Sequence, residues 1–123
     1  MAHYQHLPIY RITYELLQKS VLTIKEFPRE YKFTIGQQLQ ETIVGLVVLI
    51  YKANTAKAER LAYIERLLEN IQVAELLIRL SQDMRLLSKK DYGALVEMTQ
   101  SLNKQAEGWR KSATKLASNR SSC

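Results

Sequence analysis

SKKDYGALVEMTQSLNKQAEGWRKSATKL, residues 88 to 116, carries the clearest structural signal in the chain. Tyr92, Leu95, Thr99, Leu102, Ala106, Trp109, Ala113 and Leu116 recur at alternating steps of three and four, which lines them along one face of an α-helix. Ser88 stands just before the run and Asp91 three positions after it. A serine hydroxyl there can accept a free backbone N–H of the first turn, with the acidic residue as its reciprocal partner, so the helix is expected to begin at Ser88.

Three earlier segments repeat the pattern. Tyr10, Tyr14, Leu17, Val21 and Ile24 make a seam over residues 8 to 26, with Pro8 suited to a first helical turn and Pro28 just past the end. Leu39, Ile43, Leu46, Ile50 and Ala53 make another over residues 34 to 54, where Thr34 and Gln37 have the spacing of a capping box. Val44, Val47, Val48 and Tyr51 give that helix a second apolar flank. The third seam, over residues 56 to 87, drifts from Leu61, Ile64, Leu68 and Ile71 to Val73, Leu77, Leu80, Met84 and Leu87, as a straight helix drifts against a seven-residue repeat. Short connections between four such helices predict an all-α fold, an antiparallel up-down-up-down four-helix bundle. One domain is expected over residues 1 to 117, with 118 to 123 a disordered tail.

A chain of 123 residues can bury enough surface to fold without disulfides or structural metal. Its one cysteine, Cys123, has no partner in the chain, which fits a reducing cytoplasm. MAHYQHLPIY lacks the basic start and apolar core of an export signal. The longest apolar run, IVGLVVLIY at residues 43 to 51, is about half of the ~20 residues that cross a bilayer, so no membrane partner is expected.

Catalytic patterns are missing from the sequence. His3 and His6 both precede the first helix, where nothing fixes a base or ligand. There is no HExxH, no glycine-rich phosphate loop, and no Glu-x-x-His pair of the kind that builds di-iron sites in bundles. The glutamates fall mostly between seam positions, on faces expected to be solvated. A non-enzymatic protein without metal or cofactor is the expectation.

Charge is the informative surplus. Eighteen Lys and Arg against twelve Asp and Glu give a net charge of +6, which favours a polyanionic or acidic partner. From residue 104 on, Lys104, Arg110, Lys111, Lys115 and Arg120 face a single acidic residue, Glu107. These cations also complement the negative end of a helix dipole. Arg79, inside the apolar stretch LLIRLS, is expected to be partly buried and held, either by an ion pair within the bundle or by a phosphate or carboxylate across an interface. Arg85, Lys89 and Lys90 surround the turn that follows. Trp109 is expected in the core because it occupies a seam position.

FPREYKFTIGQQL at residues 27 to 39, IRLSQDMRLLSKKDY at 78 to 92 and the Gly108–Trp109 pair in EGWRK resemble, in order and spacing, the accessory variability determinant proteins of diversity-generating retroelements. The likeness extends to a broader superfamily, the four-helix-bundle proteins of intervening sequences in bacterial ribosomal RNA genes, though the Phe-Pro-Arg element and the residues after it favour the retroelement branch. This resemblance implies a non-enzymatic helper that forms a pentameric homo-oligomer and binds the element's reverse transcriptase and RNA or DNA. It would thereby support mutagenic reverse transcription and retrohoming. The family's basic residues transfer to Arg79, and to Arg110 and Lys111 beside the matched tryptophan; Arg29 and Lys32 are further candidates, and Arg85 and Lys115 complete the set. The alternatives are a ribosomal-RNA-associated bundle protein and a purely structural helical oligomer.

Overall fold

The computed structural model describes the backbone of residues 4–121 and the side chains of residues 5–116. His3 and Cys123, and the side chain of Arg120, lie outside these described residues. Four long helices account for nearly all of the structure: α1 (Pro8–Ile24), α2 (Arg29–Thr55), α3 (Arg60–Asp83) and α4 (Lys89–Ser121). Short 3-10 turns at Tyr4–His6 and Lys57–Glu59 precede α1 and α3, and no strand occurs among the described residues. α4 continues to Ser121, into the stretch 118 to 123 expected as a tail, whose last two residues are outside the description.

Each helix packs on the next, and α4 closes back on α1, so the four surround one core. Leu16, Leu39, Ile43, Leu46, Ile50, Leu67, Ile71, Ile78, Leu95 and Leu102 are among its fully buried side chains, and Ile64 is fully buried in a smaller cluster with Ala53 and Ala113. Burying each of these contributes roughly 1.5–3 kcal/mol, which is why apolar periodicity locates the helices so well. The seams expected on α2 and α4 face the core, with Tyr92 and Trp109 half-buried and packed against it; Leu116 alone is exposed.

Two seams are corrected. On α1 the buried stripe is Ile9, Thr13, Leu16, Ser20, Thr23 and Ile24, while Tyr14 and Val21 are exposed. Three of those six carry hydroxyls, which apolar patterning passes over; Thr13 and Thr23 donate to the carbonyls of Ile9 (2.6 Å) and Lys19 (2.7 Å), which lets them enter the core. On α3 the buried residues are Ile64, Leu67, Ile71, Ala74, Leu77, Ile78 and Ser81. Val73, Leu80 and Met84 stay exposed, so the drift in that segment reflects a second, uncovered apolar ridge that Leu76 completes.

The start of α2 is corrected as well. Pro28 is extended, and its carbonyl accepts the N–H groups of Tyr31 and Lys32 at 2.9 Å, so the helix begins at Arg29, five residues before Thr34. Thr34 lies inside a π-helical turn, Lys32–Gly36, and its hydroxyl donates to the Glu30 carbonyl (3.0 Å) instead of capping. Gln37 turns to Glu41, its amide nitrogen 3.1 Å from the carboxylate. Gly36 is needed here, because a Cβ would stand 2.7 Å from the Ile24 methyl and 3.3 Å from the Tyr31 carbonyl.

At the α3–α4 turn, Leu86 N–H bonds the Ser81 carbonyl (2.8 Å) and Arg85 N–H bonds that of Gln82 (2.9 Å), the paired bonds of a Schellman stop. Ser88 then starts α4 as expected, its hydroxyl accepting the Asp91 N–H at 3.0 Å. α2 is long and apolar enough to cross a membrane by length and composition. In the bundle its Leu39, Ile43, Leu46, Leu49, Ile50 and Ala53 are buried against the other helices.

Candidate binding surface

The seven basic residues singled out by the sequence are distributed over the helices as follows. Arg29 is the first residue of α2 and exposed; Lys32 opens the π-turn and is half-buried. Arg79 is exposed on α3, which corrects the expectation of a partly buried, held arginine. The helical phase explains this: Leu77 and Ile78 turn inward, and the residue that follows points outward with Leu80. Its guanidinium borders a groove of about 290 Å³ between α3 and α4, beside Tyr92 and Glu75.

Arg85 is exposed with φ at 61°, the only non-glycine residue in the left-handed region among the described residues. Arg110 is half-buried and donates to Glu107 at 2.6 Å. Lys111 and Lys115 are exposed one and five residues further along α4. Apart from Arg110, none of the seven has an ion-pair partner among the described residues.

These residues do not form one compact patch. Tyr92 shares the groove of Arg79, and from Tyr92 to Arg110 is about 27 Å along α4 at 1.5 Å per residue. Arg79 therefore belongs to a different part of the surface from Arg110, Lys111 and Lys115.

Other cations serve the fold. Lys19 of α1 donates to Asp91 of α4 at 2.8 Å. That hydrogen bond, helped by the hydroxyl of Ser88 and the charge of Lys90, holds the Asp91 carboxyl below its ordinary value of 3.8. Arg60 closes the end of α2 by donating to the carbonyls of Ala53 (2.7 Å) and Asn54 (2.9 Å), where the last carbonyls of a helix lack partners. Lys52 stands 5.8 Å from the centre of the Tyr63 ring.

One surface feature was missed by the sequence reading. The π-turn projects Phe33 outward, 64% exposed, next to a groove of about 490 Å³ that separates it from the last turns of α1. Lys25 and Lys32 line this groove with Phe33. FPREYKF reads as a connecting loop, and only a helix beginning at Arg29 with a π-turn brings Phe33 opposite α1.

The class the fold defines is that of a helical bundle that leaves cations and apolar side chains exposed, and no cluster of three or more His, Cys, Asp or Glu side chains is placed to hold a metal among the described residues. A family model described as bAvd-like matches residues 8–113, and the chain belongs to this family, which is that of the bacterial accessory variability determinant proteins. The family is one of accessory proteins and not of known enzymes. Among curated proteins none matches the chain.

Proposed function

We propose that this protein is a non-enzymatic accessory subunit of a diversity-generating retroelement, which binds the element's reverse transcriptase and nucleic acid and supports mutagenic reverse transcription and retrohoming in the cytoplasm. The observation that carries this reading is the family match over residues 8–113 combined with cations that have no ion-pair partner among the described residues: Arg29, Lys32, Arg79, Arg85, Lys111 and Lys115. A basic surface whose charges are not consumed internally is available to phosphates, and release of their counterions would drive binding.

The helices take an antiparallel, up-down-up-down course in this reading. Lys19, late in α1, meets Asp91 at the start of α4, whereas Leu7 and Ile9 at the other end of α1 share a groove with Gln105 and Trp109. Arg29, Lys32, Arg79 and Arg85 then gather toward one end of the bundle, and Arg110, Lys111 and Lys115 toward the other.

Self-association into a pentameric ring draws on two unlike apolar faces. One is Val44, Val48 and Tyr51 on α2; the other is Val73, Leu76 and Leu80 on α3 with Met84 at its cap. Two different faces suit head-to-tail contacts, which close into rings. α2 is a bundle helix in this assembly and does not enter a membrane.

The test is nucleic-acid binding as a function of salt. Wild-type protein is expected to bind with an affinity that falls steeply as salt rises, and the combined Arg79→Gln, Arg110→Gln and Lys111→Gln variant to bind more weakly with a shallower slope. A protein that ignores RNA and DNA at physiological salt would contradict the reading.

A further inference from the structure

The groove between the end of α1 and the π-turn of α2 has a composition that the apolar faces lack. Phe33, a residue 64% exposed, forms one side, and Val21 and Ile24 form an aliphatic wall opposite. Lys25 and Lys32 supply two cations at its edge, and Gln37 and Gln40 supply amides. One carboxylate is present, Glu41, which accepts the Gln37 amide at 3.1 Å, and the two lysines outnumber it, so the lining is positive on balance. The volume of about 490 Å³ falls in the range of small-ligand clefts.

Helix geometry is bent to make this site. A π-turn interrupts α2 from Lys32 to Gly36, and such turns in α-helices frequently mark functional positions. Gly36 lets the turn approach Ile24 more closely than any side chain would allow. The result is an aromatic ring held away from the core, where burial would otherwise have been favourable.

We propose that this groove is a nucleotide pocket for single-stranded nucleic acid: one unpaired base stacks on Phe33 against the Val21–Ile24 wall, amides meet its edge, and Lys25 and Lys32 contact the flanking phosphates. The proposal rests on the nucleic-acid reading above and specifies the strand state it favours. Aromatic rings interleaved with cations are the means by which proteins hold single strands, since every base presents a π-face once it is unpaired. A protein partner fits the groove less well, because lysine is depleted from the centres of protein interfaces. The ridge of Val73, Leu76 and Leu80 on α3 has the composition of such an interface; the Phe33 groove does not.

The experiment compares equilibrium binding of a labelled single-stranded oligonucleotide of mixed sequence, as DNA and as RNA, with that of the corresponding duplex. Phe33→Ala is expected to weaken single-strand binding about 5- to 150-fold, the worth of one base stacked on an aromatic ring, and to leave duplex binding unchanged. Phe33→Trp should restore the single-strand affinity. Lys25→Gln with Lys32→Gln should weaken single-strand binding and lower its salt slope. Circular dichroism will show whether the variants keep their helices, as expected for a side chain this exposed.

If wild type binds single strands and Phe33→Ala binds them equally well, the pocket is refuted while the nucleic-acid reading stands. Equal losses on single strand and duplex would also refute it, since stacking requires an unpaired base. A change in oligomer mass with single-strand affinity intact would assign Phe33 to a protein contact instead. Failure of the wild type to bind any of the probes would refute the broader reading and the pocket with it.

Discussion

Arg85 occupies a position that glycine would fill at lower cost. It is the residue after the cap of α3, with φ at 61° inside a Schellman stop, where an L side chain costs about 1–2 kcal/mol. Arg85→Gly is therefore expected to raise stability by about 1 kcal/mol, seen as a higher urea midpoint with an unchanged slope. Arg85 is exposed and has no ion-pair partner among the described residues, so under the proposed function the same variant should bind nucleic acid less tightly. Ser20 presents a second cost. Its hydroxyl is fully buried and has no hydrogen-bond partner among the described residues, unlike those of Thr13, Thr23 and Ser81, which donate to backbone carbonyls one turn back. Ser20→Ala removes an unsatisfied polar group and improves helix propensity, so thermal denaturation should show a gain of about 1 kcal/mol. A loss of stability would mean that the hydroxyl is bonded after all.

At the scale of elements, apolar periodicity was most readable where the buried positions are themselves apolar. The seam of α2 and most of that of α4 could be read directly, and Ser88 could be identified as the cap of α4 from its spacing to Asp91. α1 was read one step out of phase because Thr13, Ser20 and Thr23 belong to its core face, while the surplus apolar residues Tyr14 and Val21 lie outside it. Arg79 was misplaced for a related reason: a run of apolar neighbours does not specify which of them turns outward. The π-turn left no periodic trace, since one widened turn shifts the phase without changing composition.

That turn and the α1–α4 tie each make a prediction. Gly36→Ala pushes a methyl against the buried Ile24 and should cost about 1–3 kcal/mol, measured by urea unfolding. Lys19 and Ser88 depress the Asp91 pKa, so the stability this carboxylate contributes is fully present above its ordinary value of 3.8 and is lost as pH falls through the lower folded value. Wild type should therefore be more stable than Asp91→Asn at pH 6, and the gap should close as pH drops below 3.8. A gap that stays constant with pH would mean that Lys19 and Asp91 do not pair in solution.

For the whole molecule, the fold class came from periodicity, and membership of the family came from sequence likeness over residues 8–113. What the bundle adds is an account of its leftovers. Apolar ridges on α2 and α3 remain uncovered after the core is complete, and six candidate cations remain unpaired among the described residues. In the proposed assembly the ridges would lie between subunits and the cations would face the partners. Sequence reasoning could name the surplus but not arrange it, because neighbouring residues on a helix diverge by about 100° and distant ones converge only when the bundle closes.

The most direct test of this account is to express the chain with the reverse transcriptase of its own retroelement, purify through a tag on the enzyme, and measure the mass of what elutes by light scattering. The account predicts that the two proteins elute together, with this chain contributing about five copies of its 14.3 kDa subunit. A 14.3 kDa monomer that fails to accompany the enzyme would contradict it.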